Sequence, residues 1–231
     1  MIEEPPKLTI RRPNRRPSPE QIAAFKDVPT GFVVDAMLGG GALDLSIKPL
    51  QPERSPLHVA GPALTAGNGP ADIMATESAL AFLQNGDVLV AAVSGHQGCA
   101  AAGDRVTGMA KNGGAIGFVT DGPVRDYDGI VAHGMPCWCT GLTPASPFNT
   151  GPGTVGLPVQ IAGQSVETGD MIVADRDGVV VVPFAQIAEV ASRLSEIEAL
   201  ETELDARVAG GMSVPDPVKT FLAGDQVKYV E

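Results

Sequence analysis

Residues 103–126 read GDRVTGMAKNGGAIGFVTDGPVRD, and the way this stretch turns back on itself decides where the chemistry of the chain lies. Gly103 opens a turn, and 105–111 has the make-up of a short helix. Asn112, Gly113 and Gly114 tolerate positive φ and end it. Residues 115–120 are apolar and β-prone, which predicts a buried strand. Asp121-Gly122-Pro123 breaks that strand, so Arg125 and Asp126 fall just past its C-terminal end, where α/β proteins gather ligand groups. Asp104 stands at the other end of the connector, with twenty residues between it and Arg125.

Those three side chains suit one kind of chemistry. The guanidinium of Arg125 is a planar fork that grips a carboxylate bidentately. Asp126, with Asp104 brought in from its loop, can hold a hard divalent cation directly or through water. A cation beside an anchored 2-oxo acid stabilises an enolate. The alternative reading has Asp104 capping the helix that follows it, with Arg125 and Asp126 in ordinary surface ion pairs.

The frame GD...G..G.V.DG.VRD resembles the class II pyruvate aldolases that cleave 4-hydroxy-4-methyl-2-oxoglutarate and 4-carboxy-4-hydroxy-2-oxoadipate. These share a fold with the regulator of ribonuclease activity A (RraA). The resemblance runs over about residues 28–229, through VPTGFVVDAM at 28–37, AGPALT at 60–65, NGDVLVAAVSG at 85–95 and ETGDMIVADRDGVVVVP at 167–183. The regulator branch typically has Gly at the position of Asp104 and an acidic residue three places after the aspartate of the Arg-Asp pair. Here those positions hold Asp104 and Gly129, with Asp128 one place early, which favours the aldolase branch.

The resemblance implies an α/β fold: an RraA-like swivelling β/β/α domain with mixed sheets, N-terminal helices and a long C-terminal helix. It implies Mg²⁺ or Mn²⁺ as cofactor, held by Asp126 with Asp104 and Glu201 acting through water. It also implies that Gly103, the amides of Arg105 and Val106, and the loop carrying Gly95 and His96 surround the substrate, with Arg125 on its carboxylate. Retro-aldol cleavage of a 4-hydroxy-2-oxo acid to pyruvate is the expected reaction, with oxaloacetate decarboxylation as a side activity. A non-catalytic regulator that binds a protein partner is the alternative, because fold alone does not set function.

The C-terminal segment supplies the third carboxylate. From Ile187 the apolar positions fall at 187, 190, 194, 197, 204 and 208, at helical spacing, and the member missing from the series is Glu201. A carboxylate on an apolar seam costs several kcal/mol, in order of magnitude, if buried without a partner. It therefore meets water, a cation or another subunit, or the seam frays there and Glu201 is solvated. In the aldolases a glutamate from a neighbouring subunit's C-terminal helix reaches the site; Glu198 is the second candidate. A shared site implies a homo-oligomer, a trimer or hexamer.

The rest of the sequence sets bounds. At 231 residues and 44% apolar content the chain can bury a full core. A net charge of −11 excludes a nucleic-acid partner as the leading reading. The absence of a long apolar run or a signal pattern predicts a soluble cytoplasmic protein without membrane contact. Cys137 and Cys139 are too close for the usual zinc pair and should face one side of a strand, into the core. Residues 1–17 read as a Pro/Arg-rich arm in which Pro5, Pro6, Pro13 and Pro17 forbid regular structure; 18–231 form a single domain. Four arginines, Arg11, Arg12, Arg15 and Arg16, should lie on the acidic body of this or a neighbouring subunit.

Helices are expected from a Ser18 cap to about Asp27, over 30–38, and over 72–83. Strands are expected at 59–65, 87–93, 116–120, 135–139, 159–161, 171–174 and 178–182.

Overall fold

A computed structural model describes residues 6–230. It is a mixed α/β structure built outward from one strand, β3 (Val59–Asn68), whose ten residues are almost all buried. Such a run, apolar on both faces, fits only where both faces are covered. The first half of β3 pairs antiparallel with β10 (Met171–Ala174), which pairs in turn with β11 (Val179–Val182). Its second half pairs parallel with β4 (Val88–Ala92), and its last residues pair antiparallel with β7 (Gly153–Val155). The sheet continues in parallel through β5 (Gly117–Thr120) and β6 (Cys137–Cys139), and ends on β2 (Lys48–Pro49). A separate hairpin joins β8 (Val159–Ile161) to β9 (Gln164–Val166).

Helices close the faces. Helix α3 (Met74–Ala79, continued as a 3₁₀ turn over Leu80–Phe82), α4 (Asp104–Asn112) and α5 (Tyr127–His133) bury Ala75, Val106 and Ile130 with Leu89, Phe118 and Cys137. On the opposite side Val88, Val90 and Trp138 pack with β8 to β11. Helices α1 (Pro19–Ala23), α2 (Thr30–Ala36) and the start of α6 (Ile187–Ala209) cover β10 and β11 through Ile22, Val33 and Ile187, with Phe25 from the turn after α1. A last helix, α7, spans Asp216–Leu222. No described helix is long and apolar enough to cross a membrane.

All seven expected strands form, with ends shifted by a few residues. Cys137 and Cys139 face the helix side while Trp138 faces the other. The capping box at Ser18 forms with Gln21, but α1 stops at Ala23, short of Asp27: the Phe25 and Lys26 amides reach back only three residues, to Ile22 and Ala23, before Asp27 turns left-handed at φ 61°. Helix α5 was not expected: Gly129, Ile130 and Val131 are poor helix formers, and packing against α4 overrides them.

The arm also departs from expectation. Residues Leu8–Ile10 form strand β1, parallel to β7, so prolines at 6 and 13 bound a strand instead of forbidding one; Pro5 lies outside the described residues. Arg15 and Arg16 then bind the chain's own acidic groups. Arg15 Nη2 lies 2.8 Å from Glu167 and 3.1 Å from Asp170, while Arg16 pairs with Asp87 and donates to the Asn85 carbonyl at 2.6 Å. Asp87 is only 4% exposed, and burial pushes its carboxyl up against the pull of the Gln84 amide and Arg16. Replacing Arg16 with Met should therefore lower Tm by about 5 °C, on the order of 2 kcal/mol at neutral pH. The raised carboxyl is disfavoured only while ionised, and loss of Arg16 raises it further, so the deficit should shrink as pH falls toward the ordinary carboxylate range and Asp87 takes up its proton. Melting curves across pH check both the size and the sign.

Candidate active site

The site forms where the loops leaving β4 and β5 meet the first turns of α4 and α5. Gly103 is the N-cap residue of α4 and Asp104 its first helical residue, and no side chain caps the helix. The first intrahelical bond runs from Thr107 N to the Gly103 carbonyl at 3.1 Å, so the amides of Asp104, Arg105 and Val106 lack helical partners. A carboxylate and several open amides thus share one positive helix end. The capping alternative for Asp104 does not hold, since its side chain bonds none of these amides.

Arg125 and Asp126 come to the same place by a short ladder. Val124 bridges Ala102 on one side and Leu142 on the other, and the Arg125 amide donates to the Ala102 carbonyl at 3.0 Å. Asp126 then sits at φ 59°, ψ 48°, in the left-handed region that non-glycine residues rarely take. Such outliers persist where surrounding structure over-determines them, and they cluster at functional sites. Here the turn starts α5 and lays the Asp126 carboxylate beside Arg125, with Nε to Oδ2 at 3.2 Å. Arg125 Nη1 donates to Ser146 Oγ at 2.6 Å. Both side chains remain about two-fifths exposed, open to a ligand.

Two glycines set how closely these parts approach. A methyl group on Gly103 would lie 2.5 Å from Asp126 Oδ2 and 3.2 Å from Arg125 Cγ. One on Gly129 would lie 2.5 Å from Asp104 Cβ and 2.6 Å from its Oδ2. The position where the regulator branch carries an acid is therefore the position that the Asp104 carboxylate needs empty.

The loop after β4 is held from below. Asp121 accepts from Val93 N and Gly95 N, both at 2.7 Å, and is itself buried. Gln97 Nε2 donates to the Asp121 carbonyl at 2.8 Å, and Thr140 donates to Gln97. His96, on this loop, makes no hydrogen bond to Asp104, Arg125 or Asp126; its ring lies over Gly98. Asp121, Gln97 and Ser146 were not expected in these roles: the sequence marks Asp121 only as a strand breaker and carries no signal at Ser146.

Glu201 is not among these residues within one chain. It is half-buried on α6 beyond Ile197, where the helix leaves the core and exposes Leu200, Leu204 and Val208. Glu198 is exposed on the same segment. Among the described residues no three His, Cys, Asp or Glu side chains gather into a metal cage. A hard cation held by Asp104 and Asp126 would have to keep most of its waters, which is the habit of Mg²⁺.

The family model described as RraA-like, Aldolase/RraA, matches residues 30–181. The chain belongs to this family. It is 37% identical over 178 residues to a protein of Halalkalibacterium halodurans provisionally named 4-hydroxy-4-methyl-2-oxoglutarate aldolase, covering 77% of this chain and 83% of that one. Protein DlpA of Legionella pneumophila is 30% identical over 74% of the chain, which spans only 28% of DlpA. Among solved structures, Streptomyces coelicolor RraAS2, titled an unusual member of the RNase ES inhibitor RraA family, superposes with a TM-score of 0.71 at 28% identity. That match covers 83% of this chain and all of the other.

Replacing Asp121 with Ala should release the Ser94–Gly98 loop. Hydrogen exchange at the Val93 and Gly95 amides should then accelerate by about tenfold or more, roughly the loss of one charge-assisted hydrogen bond each.

Proposed function

We propose that this protein is a divalent-cation-dependent pyruvate aldolase. It cleaves a 4-hydroxy-2-oxo acid of the 4-hydroxy-4-methyl-2-oxoglutarate type to pyruvate and a second 2-oxo acid, and decarboxylates oxaloacetate as a side reaction. The observation that carries the reading is the meeting of Asp104, Arg125 and Asp126 at the uncapped first turn of α4.

Arg125 takes the substrate carboxylate, with Ser146 and Asp126 fixing the plane of its guanidinium. The Arg105 and Val106 amides donate to the carboxylate and keto oxygens, and the loop carrying Gly95 and His96, its own amides spent on Asp121 and Val93, walls the substrate in. Asp126, with Asp104 and a neighbouring copy's Glu201 through water, would hold Mg²⁺ or Mn²⁺, which supplies Lewis-acid polarisation of the keto oxygen. Asp104 orients the water that takes the 4-hydroxyl proton. The C3–C4 bond then breaks, its electron pair passing into the enolate of pyruvate, which is protonated at C3. His96, 2-oxo acid binding apart, has no assigned proton role.

The exposed apolar positions Leu200, Leu204 and Val208 support a homo-oligomer, trimer or hexamer, in which α6 reaches the next subunit. A cytoplasmic setting accords with the chemistry. The second reading, a regulator without catalysis, is favoured by the RraAS2 likeness. It requires that Asp104→Ala and Arg125→Ala leave partner binding intact and that no turnover exist.

Pyruvate release from oxaloacetate and from 4-hydroxy-4-methyl-2-oxoglutarate, with Mg²⁺ and with EDTA, decides between them. Turnover should need the cation and fall at least about 100-fold in Arg125→Ala. Gly129→Ala should fall as far and should also lower Tm, because the added methyl would lie 2.5 Å from Asp104 Cβ and α4 and α5 must move apart to admit it. Mixing inactive Arg125→Ala and Glu201→Gln subunits should restore part of the activity, since a shared site recovers one intact copy. No rescue would place Glu201 outside the site.

A further inference from the structure

The end of the sheet opposite the candidate active site holds a cleft of about 850 Å³. Its walls come from Asn85 and Gly86 ahead of β4, Ala115 and Ile116 ahead of β5, and Met135 and Pro136 ahead of β6. The catalytic groups follow the other ends of β4 and β5, so a five-residue strand, roughly 16 Å, lies between the two sites. Ile22 and Val59 complete an apolar lining, and the volume suits a small organic molecule.

The charge here opposes that of the whole chain. Arg16, Lys26, Arg54 and Lys111 line the cleft with a single acid, Asp27, in a protein of net charge −11. Arg16 is spent on buried Asp87. Lys26, Arg54 and Lys111 have no carboxylate within 4.0 Å among the described residues. Arg54 Nη1 donates to the Gly134 carbonyl at 2.9 Å, and Lys111 donates to the neighbouring His133 carbonyl. Two cations therefore converge on one helix end.

A structural role at the C-termini of α4 and α5 accounts for part of this. Two helix ends contribute about one negative charge between them, and Asp27 one more, against three cations. The balance stays positive, and Arg54 keeps donors beyond the one it gives to Gly134. His58, whose Nε2 lies 2.8 Å from the Val28 carbonyl, adds a polar group but no acid.

From this arrangement we infer a second ligand site, distinct from the catalytic one, for a small amphipathic organic anion. Its carboxylate lies between Arg54 and Lys111, its apolar body against Ile22, Val59, Ile116 and Met135, and Lys26 draws it in from the rim.

Titration calorimetry with octanoate tests this, using octan-1-ol as the neutral probe of equal length. Octanoate should bind one site per chain and octanol at least about tenfold more weakly. Arg54→Gln/Lys111→Gln should weaken octanoate by about tenfold or more. Lys26→Glu, at an exposed residue without an ion-pair partner among the described residues, leaves the core intact and should weaken it several-fold, more at low salt. Arg125→Ala should bind octanoate as wild type does, which separates this site from the catalytic one. Absence of octanoate binding, equal binding of octanol, or unchanged affinity in both cation variants would overturn the assignment; loss in Arg125→Ala would show that the octanoate sits in the catalytic site.

Discussion

One strand carries obligations to three neighbours. The backbone of β3 is almost wholly buried, so its carbonyls and its amides, which Pro62 lacks, must find partners, and β10, β4 and β7 supply them in succession. The first pairing joins it to the two strands that α2 and α6 cover; the second makes it the start of the parallel run. Because that run is parallel, the C-terminal ends of β4 and β5 come out side by side, and the loops that follow them share one rim. The site exists on this rim because β3 sets the direction of the strands beside it.

On that rim, positioning is achieved by close approach. Asp104 and Asp126 ride on different helices, and what lets them come near each other's backbone is the lack of a side chain at Gly129 and Gly103. Asp121 does the corresponding work beneath the Ser94–Gly98 loop, with both carboxylate oxygens committed to backbone amides. Groups free to act are thus held by groups that are not. Ser146 and Asp126 fix the guanidinium of Arg125 from two directions, which lowers the ordering cost of binding an anion.

Much of this was legible in the residues, and the limits have physical causes. Runs such as 171–174 and 179–182 are β-branched or apolar throughout and leave no competing structure, so their strands were plain. The spacing of Asp104 from Arg125-Asp126 was plain because a helix ending in Asn112-Gly113-Gly114 and a strand ending at Asp121 must return the chain. Helix α5 was hidden, since its Gly129 and Val131 oppose helix and only α4 supplies the reason for it. Strand β1 was hidden by its prolines, which bar a central strand but not an edge. Ser146 carries no local signal at all: its contact with Arg125 crosses 21 positions and depends on the path of an irregular loop. The seam around Glu201 was visible as a pattern, yet within one chain its far half packs on nothing.

The arm that holds β1 also orders events in time. Arg15 binds Asp170 across 155 positions of sequence, and β1 rests on β7, so neither has a docking place until the second half of the chain is made and folded. Residues 8–15 are therefore among the last to settle, and loop closure over such a span is slow. By the same reasoning the arm, tied by three backbone pairings and two arginines, is the part that leaves first when the protein unfolds.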